Sequence, residues 1–124
     1  GASMSLAPAQ ARGKDWALPS SAANSTAVTR PIRVVCFPDR LEIHPARGEA
    51  GQPRVVWIPH GLDANLDSFV STVWQHVDQW GIAVAGGYWR PTLQVVSAPG
   101  GESTADRLQV LLDNSGLDLQ RARQ

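Results

Sequence analysis

The segment GGYWRP, at 86–91, sets two aromatic rings beside a guanidinium, between two glycines and a proline. Such a group can bind an anion, a peptide or a nucleic-acid base. Trp57 lies near the end of an earlier apolar run, RVVWI, and His60 lies just after it, so both could join this group in a pocket or on a surface. The predicted interaction surface therefore consists of Tyr88, Trp89, Arg90, His60 and Trp57.

Cys36 is the only cysteine, so one chain can form neither an internal disulfide nor a cysteine-based metal cluster. It alternates in phase with Ile32 and Val34 in an apolar run, where a thiol behaves as a small hydrophobic side chain. A nucleophile would need an exposed thiolate of low pKa. We therefore predict that Cys36 belongs to the core.

No two histidines have the close spacing of a zinc motif, and we predict no metal. One of them, His76, is expected on the polar face of a helix. All three are interpreted as solvated or locally hydrogen-bonded residues: His44, His60 and His76.

The segment PGGES, at 99–103, places two glycines before a helix start, where backbone N–H groups can hold an anion. It has neither the lysine of a P-loop nor the spacing of a dinucleotide-binding motif, so a plain turn is predicted. Carboxylates near the two helix starts are interpreted as favourable charges on the helix dipoles: Asp63, Asp67, Glu102 and Asp106. No catalytic constellation and no cofactor are predicted, and the chain is not expected to be an enzyme.

The 11 basic and 11 acidic residues give a net charge of zero, so no nucleic-acid partner is expected. No apolar run approaches the roughly 18 residues that cross a bilayer, and no membrane insertion by this segment is predicted. No signal peptide is visible at the start. The location is left open, with the cytoplasm favoured.

Two regions differ in composition. Residues 1–30 are rich in Ala, Ser and Pro and are predicted to be a tag remnant, Gly1–Met4, followed by a flexible linker, because few large apolar side chains offset the ordering entropy. Within them, Trp16 is expected to make a merely transient contact, with docking on the domain or on a partner as the alternative. Residues 31–124 are predicted to form one domain.

Hydrophobic periodicity predicts the order β-β-β-α-β-α-β for that domain. Two β-branched runs separated by Pro38 and Asp39 indicate a hairpin, in which Leu41 and Ile43 face one side. Spacings of three and four predict the first helix, whose stripe is Leu66, Phe69, Val70, Val73, Trp74, Val77 and Trp80.

Side-chain caps are expected at both helix starts, from Asp63 or Asn65 and from Ser103 or Thr104. Each helix has one apolar stripe, so both helices should cover the same face of a mixed sheet of about five strands. The predicted fold is an α+β two-layer sandwich with one open sheet face.

The motifs WGIA, YWRP and PGGE, with a helix ending in SGL, resemble a C-terminal domain of bacterial proteins for which no activity is established. The resemblance covers about 31–121 and implies no catalytic residues. The layout of RPTLQVVSAPGGESTADRLQVLLDNSGLDL is similar to the soluble domain of ExbD/TolR-type proteins. That similarity implies a dimerising, extracytoplasmic module of an energised membrane complex.

These observations predict a non-enzymatic protein-interaction or scaffold module of a larger bacterial protein, with a protein partner or self-association. One alternative is a small enzyme or ligand-binding domain with a pocket formed by His60, Tyr88, Trp89 and Arg90. The other is an ExbD/TolR-like accessory domain. A deep pocket holding two of these polar side chains would favour the first alternative, and a flat apolar face with a free strand edge the interaction module.

Overall fold

A computed structural model describes residues 15–18, 26–83 and 85–122. Its elements follow the predicted order: β1 (Thr26–Cys36), β2 (Arg40–His44), β3 (Arg54–Trp57), α1 (Leu66–Asp78), β4 (Gly87–Ser97), α2 (Glu102–Leu111) and β5 (Asp118–Arg121). The strands form one mixed sheet in the order β3-β2-β1-β4-β5. β1, β2 and β3 pair antiparallel, whereas β4 lies parallel to both β1 and β5. The α+β fold with two helices and five strands is therefore confirmed.

The core lies between the helices and one face of the sheet. Leu41 and Ile43 of β2 are fully buried, as their alternation predicted, and they join Ile32 and Leu93, which face each other across β1 and β4. The buried apolar residues of both helices belong to the same cluster, with Phe69 as its largest fully buried side chain. Since side chains alternate along a strand, the residues between these core positions form a helix-free face.

Cys36 is fully buried at the end of β1, as predicted. Burial raises the pKa of its thiol to about 12, although the charge of Arg121 acts in the opposite direction. The thiol therefore stays protonated at neutral pH and packs as an apolar group.

The first strand begins earlier than the sequence predicted. Thr26–Arg30 fall in the segment interpreted as linker, yet they pair with Gly87–Pro91 of β4. Further upstream, the Ala17 amide donates to the Ser115 carbonyl at 2.9 Å, and Trp74 Nε1 donates to the Ala17 carbonyl at 2.8 Å. Trp16 packs against the core cluster, so the expectation of a merely transient contact was wrong. Residues 1–14 and 19–25 of the predicted linker lie outside the described residues.

Neither helix start uses the predicted side-chain cap. Asn65 occupies the cap position of α1, but its Nδ2 donates to the carbonyls of Pro59 and Gly61, both at 2.7 Å, and thereby holds the preceding loop. The cap residue of α2 is Gly101, not Ser103 or Thr104. The turn after β4 brings this helix start against the end of β1, where a glycine fits and a larger residue does not.

Candidate functional site

The five residues of the predicted interaction surface do not come together. Trp89 lies on the helix side of β4, whereas Tyr88 and Arg90 lie on the helix-free face, at the end of the sheet where β1 and β4 begin. Trp57 and His60 lie at the opposite end, beside the hairpin that joins β1 to β2. The predicted cluster is therefore divided between two ends of the molecule.

His60 forms part of the turn that follows β3. It is exposed and adopts a positive φ of 65°, and the carbonyl of the following Gly61 accepts a hydrogen bond from Asn65. The backbone conformation of His60 thus shapes the approach to α1.

Arg90 connects β4 to the segment that leads into β5. Its Nε donates to the Gly116 carbonyl at 2.8 Å, and one terminal nitrogen lies 3.4 Å from a carboxylate oxygen of Asp118. Both contacts are internal to the protein and link β4 to the segment around the start of β5. Arg90 also lines a cleft of about 310 Å³, whose lining includes none of the other four predicted residues.

Replacing Arg90 with alanine is expected to lower the free energy of unfolding by about 1 to 2 kcal/mol, because the Gly116 carbonyl loses a charged donor. Urea denaturation measures this change. Arg33→Ala is the matched control, since Arg33 lies on the same face of the sheet, opposite Gln94. Equal stability of the Arg90 and Arg33 variants would show that the Gly116 contact contributes nothing.

The end of the sheet near the hairpin carries a group that we call the Trp57 patch: Phe37, Arg40, Val55 and Trp57. The Arg40 guanidinium carbon lies 3.9 Å from the centroid of the Phe37 ring and 5.6 Å from that of the Trp57 ring. Trp57 is 60% exposed and Val55 is 44% exposed, and both project from the helix-free face of the edge strand. The patch combines apolar area with a cation that is held against two rings.

Charged neighbours fix the Arg40 side chain. Its Nε donates to Glu42 at 3.0 Å and its Nη1 to Asp39 at 2.9 Å, and the Glu42 hydrogen bond contributes most to raising the Arg40 pKa. Partial burial alone would raise the pKa of Glu42, but hydrogen bonds from Arg40 and His44 lower it. Arg40 and Glu42 therefore remain an ion pair at neutral pH.

A second group lies on the helix side, at the other end of the sheet. The guanidinium carbon of Arg30 lies 4.5 Å from the centroid of the Trp80 ring and 5.6 Å from that of Trp89, and the two indoles meet edge to face at 5.4 Å. Trp89 Nε1 donates to the Gly81 carbonyl at 2.9 Å. Arg30 also pairs with Glu49 at 3.2 Å, across a cleft that we call the helix-side cleft.

The prediction that His76 lies on a polar helix face was wrong. Only 4% of its surface is exposed, and its ring meets Trp80 edge to face at 5.7 Å. The reason is helical geometry: His76 comes three residues after Val73 and seven after Phe69, so it extends the apolar stripe of α1. Burial lowers the pKa of His76, and the charges of Arg54 and Arg30 lower it further, against the opposite effect of Glu49.

Comparisons of the chain with protein-family models, curated proteins and solved structures gave no match. The two resemblances found in the sequence therefore stay predictions. Among the residues that the structure describes, no helix combines the length and apolar character needed to cross a membrane. Within 15–18, 26–83 and 85–122, no three His, Cys, Asp or Glu side chains form a group able to hold a metal ion.

Proposed function

We propose that this chain is a protein-interaction module that associates through the Trp57 patch, with a second copy of itself as the partner. The observation that carries the proposal is the 60% exposure of Trp57 on the sheet face opposite both helices. Tryptophan is prominent among residues that dominate binding energy, because its ring buries a large area on association.

The Arg40 guanidinium lies beside the indole of Trp57 in the free protein. Arg40 contacts both the Phe37 and Trp57 rings, while Asp39 and Glu42 hold its guanidinium. Fixing mobile side chains opposes association, so a surface that is already ordered loses less entropy on binding. This arrangement supports Trp57 as the anchor of the interface.

The position of β3 adds a backbone component. β3 is an edge strand, so about half of its N–H and C=O groups point away from β2. Pro53 and Pro59 stand just outside the strand and restrict further pairing to a short segment around Arg54–Trp57. An interface of this size is small, and its dissociation constant is expected to be about micromolar or weaker.

Two-fold symmetry makes the patch complementary to itself. If β3 pairs antiparallel with its copy and Val56 lies opposite the partner's Val56, then Val55 lies opposite the partner's Trp57 on the helix-free face. By the same symmetry, Trp57 lies opposite the partner's Val55, so the exposed apolar side chains of both copies are covered. A net charge of zero adds no general repulsion between them.

Sedimentation velocity from about 10 µM to about 1 mM tests the proposal over the affinity range expected for a small interface. The protein is expected to dimerise with rising concentration, and Trp57→Ala is expected to weaken the dimer by roughly 30-fold or more. The variant should fold normally, since an exposed position contributes less than about 0.5 kcal/mol to stability.

Ile82→Ala is the matched control, because Ile82 is a 96% exposed apolar side chain outside the patch. It should dimerise like the unsubstituted protein. A strict monomer at the highest concentration, or equal dimerisation of the Trp57 and Ile82 variants, would contradict the proposed function.

A further inference from the structure

The helix-side cleft has the size and the charge of a small ligand site. It encloses about 330 Å³, and its lining includes Arg30, Glu49, His76, Gln79 and Trp80. A second cation, Arg54, lies close enough to act on His76 electrostatically. Arg30 and Glu49 offset each other within the lining, so the positive charge of Arg54, which lies outside the lining, makes the local balance favour an anion.

Arg30 is the group best placed to hold that anion. Its guanidinium rests against Trp80 and Trp89, so its plane is positioned by two rings. About a third of its side chain stays exposed, which leaves it accessible from solvent. A positioned guanidinium offers two parallel N–H donors to a carboxylate, and here its Nε and Nη2 lie 3.4 and 3.2 Å from one oxygen of Glu49.

One buried polar atom of the cleft lining has no hydrogen-bond partner among the described residues. It is Nδ1 of His76, whose side chain lines the cleft. Buried polar atoms normally have a partner, since leaving one unsatisfied is costly. A ligand in the cleft can therefore supply a hydrogen-bonding group to this nitrogen.

We propose that the helix-side cleft binds a small molecule that has a carboxylate and an apolar body. In the absence of this molecule, Glu49 forms an ion pair with the Arg30 guanidinium. The carboxylate would replace Glu49 on Arg30, and the apolar body would lie against Trp80. This site lies on the opposite face and the opposite end of the sheet from the Trp57 patch, so it does not depend on self-association.

The contact between Arg30 and Glu49 supports a carboxylate as the ligand group. It shows that the guanidinium accepts a carboxylate in this position, and the aromatic surface beside it favours a ligand that is not purely ionic. Both partners of the pair are about one-third exposed, so the pair is weak and a ligand can displace it. Removing the Glu49 charge should therefore strengthen ligand binding by up to about fivefold.

Phenylacetate is a suitable probe, because it has a carboxylate and an apolar ring. Phenylacetamide, its uncharged analogue, is the control ligand. NMR titration should show saturable shifts of the Trp80 and Trp89 indole N–H signals and of the His76 ring with phenylacetate but not with phenylacetamide. Glu49→Gln should bind phenylacetate more tightly than the unsubstituted protein.

Arg30→Gln should abolish the shifts, and Arg30→Lys should weaken them, because lysine keeps the charge but loses the two-pronged geometry. The unchanged remainder of the NMR spectrum identifies variants that fold. The proposal is overturned if phenylacetate causes no saturable shift, if phenylacetamide or inorganic phosphate binds equally well, or if folded Arg30→Gln still binds. A Glu49→Gln variant that binds no more tightly overturns the role of Glu49.

Discussion

Replacing Gly101 with alanine is expected to destabilise the protein by about 3 kcal/mol or more, at or above the upper end of the range for overpacking. A Cβ at this position would lie 1.9 Å from the carbonyl oxygen of Cys36 and 2.7 Å from its carbonyl carbon. These are backbone atoms, and the same oxygen accepts the Ala98 amide at 2.9 Å, so it is tied to the end of β4. The clash can be relieved only by moving α2 away from the sheet.

Urea denaturation followed by tryptophan fluorescence measures this loss. Ser103→Ala is the matched control, because Ser103 is exposed in the first turn of the same helix and should change stability by less than about 0.5 kcal/mol. A Gly101 variant as stable as the Ser103 variant would show that α2 does not pack against β1 as described.

The stability of the protein is expected to fall as the pH drops below about 6.5, the ordinary pKa of histidine. Burial and the nearby charges of Arg54 and Arg30 lower the pKa of His76 in the folded state, so the unfolded chain binds its proton more readily. The contribution of neutral His76 to stability is complete above the pKa of the unfolded state. It is lost as the pH falls toward the lower pKa of His76 in the folded state. For one proton this slope cannot exceed about 1.4 kcal/mol per pH unit.

Denaturation midpoints measured between pH 7.5 and 5 should show this slope, and His76→Gln should remove it. His60→Asn is the control, because His60 is exposed and asparagine tolerates its positive φ. The pKa values of Glu42 and Asp63 are also lowered, by ion pairs with Arg40 and Arg107, but carboxylates lose their contribution only at more acidic pH. An unchanged slope in His76→Gln would contradict the assignment.

Local patterns were sufficient to predict the elements of the fold. The alternation at Leu41 and Ile43 and the stripe from Leu66 to Trp80 report directly which side chains face the core. The antiparallel hairpin and the parallel pairing of β4 with β5 across α2 are also as expected. The position of β4 beside β1, two strands away from β3, has no local signal.

Long-range contacts explain where the predictions were wrong. Thr26–Arg30 have a loop-like composition, and only their pairing with Gly87–Pro91, about sixty residues away, makes them a strand. Asp15–Leu18 are positioned by backbone hydrogen bonds to the segment after α2, which no local pattern records. In both cases the stabilising partners are too distant in sequence for periodicity to reveal them.

The candidate sites were only partly predictable for the same reason. The sequence draws attention to Trp57 and Trp89, but their cationic partners, Arg40 and Arg30, lie on other strands. The burial of His76 was predictable in principle. Val73 comes four residues after Phe69 and His76 comes three after Val73, so all three lie on the apolar stripe of α1. Glu49 lies in an exposed loop, and no sequence signal marks its contact with Arg30.

The Trp57 patch and the helix-side cleft can be tested independently. The patch lies on the helix-free face beside the hairpin, and the cleft lies on the helix side at the far end of β1. A Trp57 variant should therefore bind phenylacetate like the unsubstituted protein, and an Arg30 variant should still dimerise.

The most direct test of self-association is an isotope-filtered NOE measurement on a mixture of labelled and unlabelled chains, at a concentration where the dimer is populated. The proposed pairing predicts intermolecular cross-peaks between the Val55 methyl groups of one copy and the Trp57 indole of the other. A dimer without these cross-peaks, or one whose intermolecular contacts lie along β5, would contradict it.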